Sequence, residues 1–142
     1  MFGEIFLGIL HASVTVLIHG VAMLLVTRRV RHVQAGDANT MLWLDFIRIA
    51  YVVAMVFLAT VFEAAWWAMN YVYVGALESF EEAMYFSMVT YTTLGYGDIT
   101  LNENWRLLSA FQAANGIIIA GWSTALVIAA IQQIYKARHS TD

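Results

Sequence analysis

Thr90-Tyr91-Thr92-Thr93-Leu94-Gly95-Tyr96-Gly97-Asp98 decides how the rest of this chain is read. Two glycines alternate with larger residues directly after a threonine cluster, and long apolar stretches lie on both sides. Keeping successive carbonyls parallel requires alternate residues to take backbone angles that only glycine adopts cheaply. Gly95 and Gly97 hold those alternate positions. A row of parallel carbonyls can replace the lost water oxygens of a dehydrated cation. The Thr93 hydroxyl can add one more oxygen below its own carbonyl. A surface turn that happens to contain Gly-Tyr-Gly is the plainer alternative, and the flanking apolar segments argue against it.

Working outward, the 142 residues are 61% hydrophobic and only 12% charged, with a mean hydropathy of +0.69. Soluble domains sit near half apolar and a quarter charged, so the composition is that of a membrane protein. The absence of cysteine removes disulfides and cysteine-ligated metals, and the absence of proline removes the usual device for kinking a span. A bilayer core about 30 Å thick needs roughly 20 apolar helical residues. Three segments qualify: Ile5 to Thr27, Met41 to Trp67 or beyond, and Trp105 to Tyr135. The first lacks the basic start and small-residue cleavage site of a signal peptide, so it is read as a retained helix.

Between the second and third spans, the stretch from Ser79 to Asn104 is too short and polar to cross again. Ser79-Phe80-Glu81-Glu82 reads as a capping box, with two acidic residues suited to the positive end of a helix dipole. A short helix over 79–92, the glycine string and a return to the same side make a re-entrant loop. Such backbone survives at membrane depth only when buried in protein or lining a watery cavity. Arg28, Arg29, Arg31, Arg48, Lys136 and Arg138, six of the seven basic residues, fall on one side, with Arg106 the exception. That side should be cytoplasmic. The amino terminus is therefore expected outside, the carboxyl terminus inside, and the loop entering from outside.

The glycine string resembles the potassium-channel signature Thr-x-x-Thr-x-Gly-Tyr-Gly, matched by Thr90, Thr93, Gly95, Tyr96 and Gly97. The chain thus resembles the pore-loop potassium channels of the two-span type, as a small bacterial-type subunit with an extra N-terminal helix. The resemblance implies an all-α integral membrane fold. An extra helix (1–27) and a cytoplasmic basic loop (28–40) would precede a pore domain (41–135), with a short cytoplasmic tail (136–142). The pore domain would comprise an outer helix (41–70), pore helix (79–92), selectivity filter (93–98) and inner helix (105–135). One loop cannot surround an ion, so a C4 homotetramer is implied. K⁺ would be held by the carbonyls of Thr93, Leu94, Gly95 and Tyr96 and the Thr93 hydroxyl, with Gly97 completing the filter. The implied partners are further copies of the chain, membrane lipid and K⁺, with neither a nucleic acid nor a cofactor beyond the permeant ion. A bacterial inner membrane is the implied location. A non-selective channel or a non-conducting regulatory subunit of the same architecture is the alternative. Met1 and the polar ending Arg138-His139-Ser140-Thr141-Asp142 favour a complete small subunit over a piece of a longer channel.

The filter's expected support is Tyr85, Phe86, Val89, Thr90, Thr92 and Asp98. Many relatives carry two tryptophans where Tyr85 and Phe86 stand; Phe86 has no donor for the Tyr96 hydroxyl, whereas Tyr85 can reach Asp98. Val89 replaces the glutamate found in some relatives, and Leu94 replaces the commoner valine. In the third span, Gly116 falls near the position where related channels bend, or else it permits close helix packing. Ile117, Ala120 or Gly121, Thr124 and Ile128 share one helical face, expected on the cavity, with Ile128 a candidate constriction.

An ionisable group inside a span is a functional candidate. His11 and His19 lie within about 80° of each other around the first helix. They are read as pH-sensing or metal-binding groups, or as neutral side chains bonded to neighbouring helices. Glu63 either faces the pore loop, near Arg106, or reaches the headgroups beside an interfacial belt of Trp66 and Trp67. Asp45 and Arg48 should pair across one turn. No span carries regularly spaced arginines, and no nucleophile–base pair or phosphate loop suggests an enzyme.

Overall fold

A computed structural model describes residues 2–31 and 38–139, with side chains described for 2–29 and 42–136. Four helices follow in order: α1 Phe2–Arg31, α2 Ala38–Tyr73, α3 Phe80–Tyr91 and α4 Arg106–His139. Among the described residues there is no strand. Among the described residues three stretches are long and apolar enough to cross a membrane: Phe2–Arg29, Leu42–Tyr73 and Arg106–Lys136.

Within the stretch expected as a loop over 28–40, the described residues 28–31 and 38–40 are helical. Arg28, Arg29 and Arg31 continue α1, and α2 begins at Ala38. Arginine is a good helix former and no glycine or proline intervenes before Gly36, so nothing stops α1 where its apolar run ends. Residues 32–37, and 140–142 of the expected tail, lie outside the described residues. In the first turns of α2, Arg48 Nη1 donates to Asp45 Oδ1 at 2.9 Å.

α2 ends in a turn through Gly75, whose φ of +70° is the left-handed geometry glycine adopts without penalty. The amides of Ala76 and Leu77 both return to the Tyr71 carbonyl. Ser79 then caps α3, with extended backbone and its hydroxyl accepting from the Glu82 amide at 3.2 Å.

The main core is built from α2 (Trp67, Ala68, Tyr71), α3 (Ala83, Phe86, Tyr91) and α4 (Leu108, Ile119), with Leu77 between. A smaller cluster of Val26, Val52 and Ala130 joins α1, α2 and α4 at the other end. α1 is not a peripheral addition, because it packs along both α2 and α4. Its buried face runs through Gly8, His11, Thr15, His19, Met23 and Val26, a three-and-four spacing that puts polar side chains inward. Trp67 corrects the expected interfacial belt, since it is fully buried against Tyr71 and His11. Only 11% of the most apolar stretch of α2 is buried within the chain. The remainder must meet lipid or other protein, because aliphatic surface of that extent is not stable in water.

Candidate functional site

The glycine string leaves the end of α3 as an irregular strand. Thr93, Gly95 and Gly97 all have positive φ, at 59°, 59° and 77°. The alternation expected from two glycines therefore begins two residues earlier, on a threonine. A β-branched residue at positive φ is a genuine outlier and costs of order 1–3 kcal/mol unless its surroundings enforce it. The enforcement is visible in the amides. Thr93 N–H donates to the Thr90 carbonyl at 3.0 Å, and those of Leu94 and Gly95 both donate to the Val89 carbonyl at 3.0 and 3.2 Å. The donors of this strand are thus spent on α3. Among the described residues no hydrogen bond ends on the carbonyl oxygens of Thr93, Leu94, Gly95 or Tyr96. Those residues are exposed in the single chain, so the four acceptors remain available to something outside it.

Val89 supports the strand through its backbone carbonyl. Thr92 bonds back into α3, its hydroxyl donating to the Met88 carbonyl at 2.7 Å, while Thr90 contributes a carbonyl acceptor. Phe86 is buried edge-on against Tyr71, with ring centroids 5.2 Å apart, so it braces the α2–α3 packing. Tyr85 Oη donates to Asp98 Oδ2 at 2.6 Å, tying α3 to the residue after Gly97. That bond lowers the Asp98 pKa and raises that of Tyr85. Arg106 lines a recess of about 260 Å³ with Tyr85, Gly97 and Asp98, and Glu63 is not part of that lining.

Glu63 is completely buried, which excludes the headgroup reading. Tyr91 Oη donates to its Oε2 at 2.8 Å, and His19 Nδ1 lies 2.9 Å from its Oε1. His19, also fully buried, has Nε2 3.2 Å from Ser123 Oγ. His11 does not join this group. It packs between Trp66 and Trp67, both with ring centroids at 5.6 Å. Among the described residues no three His, Cys, Asp or Glu side chains converge as metal ligands.

A second buried network was not anticipated. Tyr71 Oη donates to Gln112 Oε1 at 2.7 Å, Gln112 Nε2 donates to Ser87 Oγ at 2.6 Å, and Ser87 Oγ donates to the Ala64 carbonyl at 2.6 Å. It joins α2, α3 and α4. Asn115 of α4 donates to Thr15 of α1. The available signal was the pair of amide side chains, Gln112 and Asn115, one turn apart in an apolar span.

Gly116 is a packing glycine in this structure. A Cβ there would stand 1.9 Å from the Tyr91 carbonyl oxygen. Gly121 has nothing within 4 Å. Ile117, Ala120, Gly121, Thr124 and Ile128 form a continuous exposed face of α4.

The family model described as "Ion channel" matches residues 12–133, which takes in most of all four helices and the whole glycine string. This chain belongs to the ion-channel family. The match is to the pore-loop, two-span type that the signature string resembles. No curated protein and no solved structure matches it. An ion channel with three such apolar helices is an integral membrane protein.

Proposed function

We propose that this ion channel is K⁺-selective, conducting passively through a pore formed by four copies of the chain around a central axis. One observation carries the reading: a strand of alternating left-handed residues at 93, 95 and 97 whose amides are bonded to α3 and whose carbonyls accept nothing within the chain. Four such strands facing an axis supply rings of four oxygens, and adjacent rings give an eight-oxygen cage. The cage consists of the carbonyls of Thr93, Leu94, Gly95 and Tyr96 and the Thr93 hydroxyl. It replaces the hydration shell of K⁺, so Rb⁺ passes and Na⁺ is rejected.

In that assembly α3 is a re-entrant pore helix, and its carboxyl end directs partial negative charge toward the cavity below the filter. The exposed face of α4, through Ile117, Thr124 and Ile128, lines that cavity and narrows at Ile128. Tyr85 and Asp98 hold the outer end of the filter. The basic residues at the α1–α2 junction and the end of α4 set an outside amino terminus and a cytoplasmic carboxyl terminus. A bacterial inner membrane suits this arrangement.

The test is ⁸⁶Rb⁺ uptake into liposomes holding purified protein, loaded with K⁺ against external Na⁺, with Gly95→Ala alongside. Left-handed backbone at residue 95 costs alanine about 1–2 kcal/mol per subunit, so the variant should lose Rb⁺ uptake or its preference over Na⁺. Barium-sensitive uptake in the wild type alone supports a K⁺ filter. Equal uptake of Na⁺ and Rb⁺ by the wild type points to a non-selective pore, and silence points to a regulatory subunit.

A further inference from the structure

We infer that the groove between α1 and α2 binds one anionic phospholipid, an acyl chain lying in the groove and the phosphate on Arg29 beside Arg28. The inference stands apart from the K⁺-channel reading and needs only the membrane.

Ile18, Ala22 and Leu25 of α1 and Met55, Ala59 and Phe62 of α2 line a recess of about 210 Å³. Each set follows a four-and-three spacing, which keeps it on one face of its helix. Ala22 and Ala59 carry a single methyl each, and Ala59 is buried, so they leave a floor between larger neighbours. Lipid tails are as apolar as leucine. The groove therefore fits a chain by shape and does not choose among headgroups.

The choice is made where the groove ends. Arg29 follows Leu25 by one turn and Arg48 precedes Met55 by two. By the 3.6-residue period each lies within about 30° of the centre of its groove-lining stripe. Val26 and Val52 share one buried cluster. Arg29, three residues past Val26, and Arg48, four before Val52, thus stand within about 2 Å of the same depth. Helical side chains lean toward the amino end of their helix. On α1 that turns Arg29 back toward Leu25 and the groove. On α2 it turns Arg48 away, into its bond with Asp45.

Arg28 and Arg29 are exposed, and among the described residues no carboxylate pairs with either. Asp45, already held by Arg48, is the only described carboxylate at this end. Glu78, Glu81, Glu82 and Glu103 lie beyond the opposite ends of α2 and α4. A second copy seated on the groove would bring Arg29 no free anion from its described residues. A phospholipid brings a phosphate and a chain together, and basic residues at a helix end attract anionic headgroups.

The test is native mass spectrometry of the purified chain in detergent with equal amounts of phosphatidylglycerol and phosphatidylcholine of the same acyl chains. Wild type should hold one lipid per chain and favour phosphatidylglycerol at least about fivefold, the worth of one arginine at an anionic headgroup. Arg29→Gln should lower that ratio about fivefold, and Arg29→Lys, still a phosphate binder, should keep most of it. Lys136→Gln removes a charge at the same end away from the groove and should change nothing. Ala22→Leu fills the floor and should cut retention of both lipids. Where it lowers helix content, Leu25→Phe blocks the groove from an exposed position instead.

Equal retention of the two lipids by wild type overturns the inference. So does a ratio that Arg29→Gln leaves unchanged, or that Lys136→Gln lowers as much. Undiminished retention in the blocked variants reduces the site to surface charge and overturns it too. Retention of neither lipid has the same force, and disulfide-linked dimers of Leu25→Cys, in a chain without native cysteine, then assign the groove to a second copy.

Discussion

Replacing Gly116 by alanine should disturb the glycine string from a helix that does not contain it. The added Cβ would lie 1.9 Å from the Tyr91 carbonyl oxygen, 2.9 Å from its carbon and 3.3 Å from its Cα. Carbon–oxygen contacts stand at about 3.3–3.6 Å, so α3 and α4 must part by roughly 1.5 Å at this point. Every atom met is backbone, and no side chain can turn aside. Overpacking of this kind costs about 3 kcal/mol or more, a change of at least roughly a hundredfold in an equilibrium constant. The displacement falls on Tyr91, which also carries the bond to Glu63. Melting temperature and ⁸⁶Rb⁺ uptake of Gly116→Ala, compared with Gly121→Ala, read this directly. Gly116→Ala should melt several degrees lower and take up at least tenfold less Rb⁺, a loss taken from the opposed-backbone cost. Gly121→Ala, with open space around it, should behave as wild type. The contact argument is refuted if Gly116→Ala is as stable as wild type or more so, because alanine at a free hinge raises helix propensity.

Two other changes test separate parts of the site. Tyr85→Phe removes the bond that holds the Asp98 pKa down. A depressed carboxylate stabilises the fold above its unfolded value and loses that contribution as pH falls through the lower folded value. Carboxyl NMR should therefore show Asp98 titrating at higher pH in Tyr85→Phe than in wild type. The Tyr85 hydroxyl has its pKa raised, so its contribution is complete below the unfolded value near pH 10 and lost only above it. An alkaline absorbance titration should find one fewer late-titrating tyrosine in the variant. Gln112→Leu strands the buried Tyr71 hydroxyl; it should cost about 1–3 kcal/mol and lower the melting temperature without changing ion preference.

Much of the architecture is written locally. The lengths of the apolar runs, the Ser79 cap with Glu81 and Glu82, and the glycines at 95 and 97 each depend on residues near one another in the chain. The positions of α3 and the left-handed glycines could be read for that reason. Thr93 escaped because its φ is imposed by amides bonded back to α3, and nothing in a threonine announces that. The same holds for Val89, whose contribution is a carbonyl. His19, Glu63, Gln112 and Asn115 could each be marked as polar groups in apolar spans, since an unpaired polar group in hydrocarbon is expensive. Their partners could not be read, because pairing depends on how the helices rotate and cross.

By itself, then, the sequence determined a membrane chain of three long apolar helices carrying a glycine string that resembles a channel signature. These follow from hydropathy, length and backbone sterics, which act over a few residues. Tertiary structure alone decided that Glu63 faces Tyr91 and His19, that Trp67 is core, and that Gly116 exists to admit the Tyr91 carbonyl. Those outcomes join residues 25 to 56 positions apart in the chain and turn on close packing. Helix packing sets them, and no local pattern encodes it.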